Sequence, residues 1–473
     1  MNKTKEINPY VLVILSFLVV ILLGSVLLIT PWSQKDGQWA SYIDSLVVSF
    51  SATCVTGITT YKNSVADTLN FGGQIVLLFM IQIGGLGFIT ILTFIITIFK
   101  RRLEFKNRYF ISQMVNSTNF ADVVMFVRKI VLISFTAELI GTILYFPAFY
   151  QAMIPQGKNV GDVLWYSIFH SVSSFNNAGF DLMPGAANGV ISYMRGEGAL
   201  LSSLSDGWYI YFCCVAMGLI ILGGISFLVI IDVFNFKKKP SQWRSFTKAV
   251  LLTNGVLLVG GALLLFLTDG LKGNGSMTPF QAVFQSVTCR TAGFATYNQD
   301  NLSIAGRAIS CFLMMVGGSP LSTAGGIKTT TLFMIALASF SYFRGKRVSA
   351  FKRSFSTTMI VKALVLLLLA IVAIMVSYIT MVTLGMKQTD YIGSGVHTTF
   401  NECVIYDVFS CFGTVGLSTG IEAYYPIGSK LILCLLMFLG RLGPITFFQI
   451  FQTNMDKEEL KHYKLVEEDI LIG

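Results

Sequence analysis

Charge is scarce in this sequence. Of 473 residues, 12% are Asp, Glu, Lys or Arg, where a soluble domain carries about 25%. With 54% hydrophobic residues and a mean hydropathy of +0.69, a water-soluble globule is excluded, and lipid must solvate much of the surface. Histidine is scarcer still, at three well-separated positions. There is no HExxH and no local gathering of Ser, His and Asp, so the groups a membrane-embedded enzyme would need are missing. The eight cysteines form no CxxC pair and no zinc-like spacing with the histidines. Cys213, Cys214, Cys311 and Cys434 lie inside apolar runs and read as small buried hydrophobes. Cys54, Cys289 and Cys411 lie near the glycines discussed below. No GxGxxG joins a strand to a helix, which excludes nucleotide binding in the Rossmann manner. No small-x-small cleavage site follows the first apolar run, so that run reads as a retained helix rather than a signal peptide.

What is plentiful is long apolar sequence. Runs near 11–29, 73–99, 130–149, 208–235, 249–268, 303–343, 359–385 and 429–452 can each cross about 30 Å of hydrocarbon, the sixth being interrupted. Shorter apolar segments lie near 41–53, 161–175, 279–289 and 397–412. They are too short to span and fit re-entrant half-helices. The order is long, short, long, four times over, which predicts an all-α membrane protein with eight transmembrane helices.

The formal net charge of +10 is concentrated in connections. Lys3 and Lys5, the group Lys100, Arg101, Arg102, Lys106 and Arg108, the group Lys237, Lys238, Lys239 and Arg244, the group from Arg344 to Arg353, and Lys457, Lys461 and Lys464 all fall on one side of eight spans. That side is the cytoplasm by the positive-inside bias. The excess therefore reads as topology rather than nucleic-acid binding, with both termini cytoplasmic. The stretch 109–127 is expected along the cytoplasmic face, and the tail after Asn454 is too short for a domain. The remaining loops carry single basic residues such as Lys62, Lys158, Lys272 and Lys387, so the short segments dip in from outside.

Each short segment ends alike: Val55-Thr56-Gly57-Ile58, Asn177-Ala178-Gly179-Phe180, Thr291-Ala292-Gly293-Phe294 and Thr414-Val415-Gly416-Leu417. The glycines are 122, 114 and 123 residues apart, and that near-constant period implies one unit repeated four times. The divisions are 1–108, 109–240 with its preceding cytoplasmic segment, 241–353 and 354–473 with the tail. A bare ion in a bilayer needs oxygen ligands in place of water, and four loops on one axis can supply rings of carbonyls. Glycine reaches the positive φ such loops demand. The negative C-terminal end of each preceding half-helix favours a cation. For Gly84, Gly85, Gly87, Gly223 and Gly224 a helix-packing role is expected.

With these loops, the stretch Gly317-Gly318-Ser319-Pro320-Leu321-Ser322-Thr323-Ala324-Gly325-Gly326-Ile327-Lys328-Thr329 and the segment Gly440-Arg441-Leu442-Gly443-Pro444, the sequence resembles the Trk/Ktr/HKT superfamily of potassium transporters over nearly its whole length. Within it the chain looks most like the KtrB type, starting directly at the first long helix. The resemblance implies four M1–P–M2 repeats around a pseudo-fourfold pore, with potassium bound by backbone carbonyls around the four glycines and no organic cofactor in this chain. Plant relatives that favour sodium replace the first glycine with serine, which this chain does not. One glycine per loop, against the TVGYG of potassium channels, implies fewer strained positions and fewer ion sites.

Four glycines and Pro320 between 317 and 326 cannot continue a regular helix. The stretch is either a packing kink or, as the resemblance implies, a loop that obstructs the pore, held by Ser319, Ser322, Thr323 and the backbone from Gly317 to Ala324, Gly325 and Gly326. Arg441 lies inside the last span without a local acid, so it should face protein or pore. The resemblance places it in the pore as barrier and anchor. Lys328 could instead snorkel to the interface. Glu138, Asp232, Glu402 and Asp407 are candidates to line water or to pair with Arg290 and Arg441. His170 and His397 read as satisfied structural histidines. The resemblance further implies a homodimer using the tail Asp469-Ile470-Leu471-Ile472-Gly473, a separate cytosolic KtrA-type ring binding ATP or ADP, and sodium dependence. The alternative is a coupled Na+ or H+ symporter, although such folds show inverted or twofold repeats.

Overall fold

The computed structural model describes residues 9–87, 120–184, 199–234, 239–271 and 277–443. The basic groups at Lys3, Lys5, Lys100–Arg108, Lys237, Lys238 and Lys457–Lys464 lie outside these residues, as do Lys272, Pro444 and the tail 469–473.

The main helices, in chain order, are α1 (Pro9–Ile29), α2 (Tyr42–Cys54), α3 (Phe71–Leu86), α4 (Phe120–Met153), α5 (Val160–Asn176), α6 (Asp206–Gly224), α7 (Phe227–Val233), α8 (Ser245–Leu265), α9 (Pro279–Thr288), α10 (Ile304–Met315), α11 (Thr329–Phe343), α12 (Thr357–Leu384), α13 (Phe400–Gly413) and α14 (Ile427–Leu442). Among the described residues the strands are two, Ser349–Ala350 paired antiparallel with Arg353–Ser354. Their turn, Phe351-Lys352, has both residues left-handed. The sequence reading did not foresee this hairpin. Nor did it foresee a helix beginning at Phe120: part of the stretch assigned to the cytoplasmic face is the first turns of α4.

The short apolar segments are the helices α2, α5, α9 and α13. Side chains cap the starts of α2 and α9: the Ser41 hydroxyl accepts from the Asp44 N–H, and Thr278 with Gln281 forms a capping box ahead of Pro279. Each packs with the long helix before it and the helix after it, giving the triples α1–α2–α3, α4–α5–α6, α8–α9–α10 and α12–α13–α14. The third helix of each triple also packs on the short helix of the next: α3 on α5, α6 on α9, α10 on α13, and α14 back on α2. The chain thus closes on itself.

Polar bonds cross three of these seams. Trp165 Nε1 donates to Gln74 Oε1 at 2.8 Å, Arg307 pairs with Glu402 at 2.5 Å, and Lys430 pairs with Asp44 at 2.7 Å. The hydrophobic pattern is inverted at the periphery. Leu23, Leu132, Leu368 and Phe79 are all more than 60% exposed, as expected where lipid is the solvent. Helices over Met125–Gln156, Asp206–Gly224, Ser245–Gly270 and Thr357–Leu384 are long and apolar enough to cross a membrane by length and composition.

Candidate functional site

Three of the four short helices end in turns built by one backbone rule, whereas after α9 the Ala292 N–H bonds to the Thr288 carbonyl at 2.9 Å. In α2 the Val55 N–H bonds to the Ala52 carbonyl at 3.2 Å and the Thr56 N–H to Ser51 at 2.8 Å. The same pair recurs as Asn177 to Ser174 and Ala178 to Ser173 after α5, and as Thr414 to Cys411 and Val415 to Ser410 after α13. This helix stop requires a left-handed residue, usually glycine. Here the positions are Val55 (φ 59°), Asn177 (59°) and Thr414 (51°), and the corresponding Thr291 has φ 73°. Two residues further on, Gly57, Gly179, Gly293 and Gly416 have φ of 101°, 70°, 83° and 95°. Two positions per turn are therefore left-handed, not the one that counting glycines suggested. Three of the non-glycine positions are β-branched, which costs each about 1–2 kcal/mol.

Buried serines hold two of the turns. Ser51 Oγ accepts from the Gly57 N–H at 3.0 Å and Ser410 Oγ from the Gly416 N–H at 3.0 Å. Ser173, at the same offset, donates to the Phe180 carbonyl at 2.6 Å. The third turn has Val287 here instead. This serine, six residues before the glycine in three loops, is a signal in the sequence that the glycine pattern overshadowed. The apolar residue after each glycine points into protein: Ile58, Phe180, Phe294 and Leu417 are all at most 1% exposed and belong to the hydrophobic core.

The four glycines come together. A Cβ on Gly57 would overlap the Ala178 carbonyl oxygen, one on Gly179 that of Ala292, one on Gly293 that of Val415, and one on Gly416 that of Thr56. Each glycine therefore abuts the carbonyl before the next glycine, and the cycle closes from fourth to first. The sixteen residues from Val55–Ile58, Asn177–Phe180, Thr291–Phe294 and Thr414–Leu417 are all buried. Beside the ring, the hydroxyls of Thr56, Thr288 and Thr414 are buried without a hydrogen-bond partner.

Of the glycines expected to pack, Gly84, Gly85, Gly223 and Gly224 lie against neighbouring segments, whereas Gly87 ends α3 at a φ of 79°. Gly84, Gly223 and Gly440 each lie against the carbonyl four residues before a ring glycine, at Thr53, Phe175 and Phe412, where a Cβ would clash. They carry a second role through their own carbonyls, and this involves the 317–326 stretch. That stretch is an irregular loop between α10 and α11. The Ser319 N–H donates to the Gly224 carbonyl at 3.1 Å, Thr323 to Gly223 at 3.2 Å, and Gly326 to Gly440 at 3.1 Å. Thr323 Oγ1 lies 2.9 Å from the Gly223 carbonyl oxygen and 3.3 Å from that of Phe175. The fourth apolar run is broken as well, at Ile225-Ser226, and there the Phe227 N–H donates to the Leu321 carbonyl of the loop at 3.0 Å. Only the sixth run was expected to be interrupted. The fourth breaks because its freed backbone groups bond to the loop.

Arg441 joins loop and wall. Its guanidinium donates to the carbonyls of Thr323, Gly84 and Gly85. Arg290 donates through Nη2 to Asn254 Oδ1 at 2.7 Å and to the Gly317 carbonyl at 2.9 Å. Neither arginine pairs with the acids proposed for it. Glu402 pairs with Arg307. Glu138 accepts from Gln82 at 3.0 Å and Asn176 at 3.0 Å. Asp407 accepts from the Tyr425 hydroxyl at 2.7 Å, and Asp232 accepts from Thr247 at 2.9 Å. Both guanidiniums are solvated by carbonyls and an amide, which keeps a charge tolerable where no carboxylate stands. Lys328 does not snorkel: its Nζ donates to the Ala324 carbonyl at 2.7 Å. His170 is buried, with Nδ1 2.8 Å from the Tyr166 carbonyl oxygen. His397 is exposed, and its backbone N–H caps Asp300 at 3.0 Å. Cys214 is exposed, whereas the other seven cysteines are buried.

Apolar helices of spanning length, an inverted surface and irregular backbone sealed inside protein define a multi-pass membrane protein. The profile of the TrkH family, described as cation transport proteins, matches residues 4–463. The chain is 34% identical to the potassium/sodium uptake protein NtpJ of Enterococcus hirae, over 99% of this chain and 98% of that protein. It is 30% identical to the Ktr system potassium uptake protein B of Bacillus subtilis, over 94% and 93% of the two chains. In fold it is similar to the crystal structure of the potassium transporter TrkH of Vibrio parahaemolyticus, with a TM-score of 0.65 at 17% identity, covering 95% of this chain and 86% of that one. The chain belongs to the TrkH family of cation transport proteins, in the Trk/Ktr superfamily, and is KtrB-like. That family transports cations and is not one of enzymes.

Proposed function

We propose that this protein takes up potassium across the cell membrane, along the axis on which the four glycine turns meet, as the membrane subunit of a Ktr-type system. The observation that carries this reading is the closed cycle in which each ring glycine abuts the carbonyl preceding the next. Such a cycle leaves carbonyls of four loops around one centre, where they can replace the hydration shell of a monovalent cation. The C-terminal ends of α2, α5, α9 and α13 run into these turns and add negative potential. The unpartnered hydroxyls of Thr56, Thr288 and Thr414 supply further oxygen atoms where a buried polar group otherwise lacks a partner. The relatives named for potassium uptake support the choice of ion, and NtpJ, named for potassium and sodium, makes sodium the ion to test against it.

The finer reading is four M1–P–M2 repeats with eight spanning helices, divided at 1–108, 109–240, 241–353 and 354–473, and cytoplasmic termini. Residues 55–58, 177–180, 291–294 and 414–417 form the filter. The loop Gly317–Gly326 is a gate pinned by Arg441. A homodimer and a cytosolic KtrA-type ring that binds ATP or ADP complete the system, the ring supplying nucleotide control of the gate.

The test is flux from the purified chain in liposomes. Potassium-driven flux that sodium does not replace is expected, together with restored rubidium uptake in a potassium-auxotrophic host. Equal conductance for sodium, or obligatory proton movement with each cation, would sink the reading.

A further inference from the structure

A groove of about 960 Å³ runs along the outer face of the second triple, between α4 and the α6–α7 pair. Its walls are apolar along most of their length and open outward: Leu132 is 68% and Ile140 51% exposed. It reaches from Leu144 and Tyr211 at one end to Lys129 at the other. Lys129 and Leu144 are roughly 22 Å apart along α4 at 1.5 Å per residue, more than the half-thickness of the hydrocarbon core. At the Lys129 end Arg128 is the adjacent residue; both are exposed, and neither makes an ion pair with a described residue. Midway, a Cβ on Gly218 would meet nothing within 4 Å, so the missing side chain is what leaves the slot open.

We propose that this groove holds an acyl chain of an anionic phospholipid whose phosphate sits at Arg128 and Lys129. The chemistry is complementary at each point. An apolar slot that opens onto lipid matches a hydrocarbon tail, and two exposed cations without an ion-pair partner among the described residues, where α4 enters the membrane, match a phosphate. The floor includes Phe175, whose carbonyl oxygen lies 3.3 Å from Thr323 Oγ1, so the occupant packs against the helix end that carries the second glycine turn. The inference rests on the membrane embedding and stands apart from the ion assigned to the axis.

The test is native mass spectrometry of the full chain purified from membranes containing phosphatidylglycerol and phosphatidylethanolamine. The wild type should retain phosphatidylglycerol. Gly218→Leu, whose side chain grows into open space rather than into a neighbour, should lose it while eluting as a folded protein. Arg128→Gln with Lys129→Gln should retain phosphatidylethanolamine as readily as phosphatidylglycerol. Retention of phosphatidylglycerol by Gly218→Leu at the wild-type level overturns the site. Equal retention of the two lipids by the wild type overturns the headgroup assignment. Exposed Cys214 lines the groove, and a disulfide between Cys214 of two chains in native membranes would overturn the proposal by showing that a second copy covers it.

Discussion

At the scale of single residues, the turns depend on conformations that side chains resist. Gly179 cannot gain even a methyl group, since its Cβ would meet the Ala292 carbonyl at a φ of 70°. Gly179→Ala is expected to lower rubidium uptake at least about tenfold, the equivalent of 1.4 kcal/mol in binding or barrier, and to erode preference for potassium over sodium in reversal potentials. The serines are a separate case. Ser51→Ala or Ser410→Ala leaves the N–H of Gly57 or Gly416 buried and unpaired, at a cost of about 1–3 kcal/mol, so thermal midpoints in potassium should fall while the chain still folds. Asp300 lies in the loop after the third turn. Burial raises its pKa, but Thr398 Oγ1, at 2.6 Å, and the backbone N–H groups of His397 and Thr398 outweigh this and hold it below the usual carboxylate value. A depressed folded pKa means that its stabilising contribution is complete above the unfolded value near 3.9 and lost as pH falls through the folded one. Thermal midpoints should therefore show no Asp300-dependent change from pH 8 to 5. Asp300→Asn should remove a dependence seen only in more acid solution.

At the scale of elements, the loop between α10 and α11 behaves as a separate part. It is held by backbone carbonyls of α6 and α14 and by the guanidiniums of Arg290 and Arg441, with little apolar burial. Its contacts lie outside the helices' own hydrogen-bond ladders, so exchanging them for water would not unfold a helix, as the proposed gate requires. Deletion of 318–325 is expected to raise potassium flux, and unchanged uptake would argue for a packing role. Arg441→Gln removes the charge and the bonds to Thr323, Gly84 and Gly85 together, so it should also raise flux. If flux falls instead, the arginine acts mainly to hold the ring's wall in place.

At the scale of the whole molecule, the four triples form a closed cycle. The Arg307–Glu402 pair spans the third seam. Arg307 is 6% exposed, so losing its partner strands a buried charge. Glu402→Gln should destabilise the protein by about 3–5 kcal/mol, the range for breaking a buried pair; because Glu402 is the more exposed partner, at 35%, the loss should fall at the low end. The double variant Arg307→Met with Glu402→Met should recover most of it, which thermal unfolding in detergent can check. A seam that behaved independently of the others would leave flux untouched in the single variant.

Much of this was legible in the sequence because lipid and helix geometry act locally. Run length marked the apolar helices, and glycines at 57, 179, 293 and 416 marked left-handed sites that no side chain would tolerate at such close approach. What stayed hidden depended on partners distant in the chain. Val55, Thr291 and Thr414 carry no propensity for a positive φ; the helix-stopping bonds and the surrounding core impose it. The break at Ile225-Ser226 has no proline to announce it and exists because the loop from 317 to 326 supplies its hydrogen bonds. Arg290 and Arg441 seemed to need carboxylates, yet they are solvated chiefly by main-chain oxygens, with the Asn254 amide on Arg290, and main-chain oxygens are carried by every residue, so no sequence pattern singles them out. The amino-acid order thus determined which segments form apolar helices and where the backbone must turn. Only the tertiary structure decided which carbonyl faces which charge, because that choice is made by packing between segments more than a hundred residues apart.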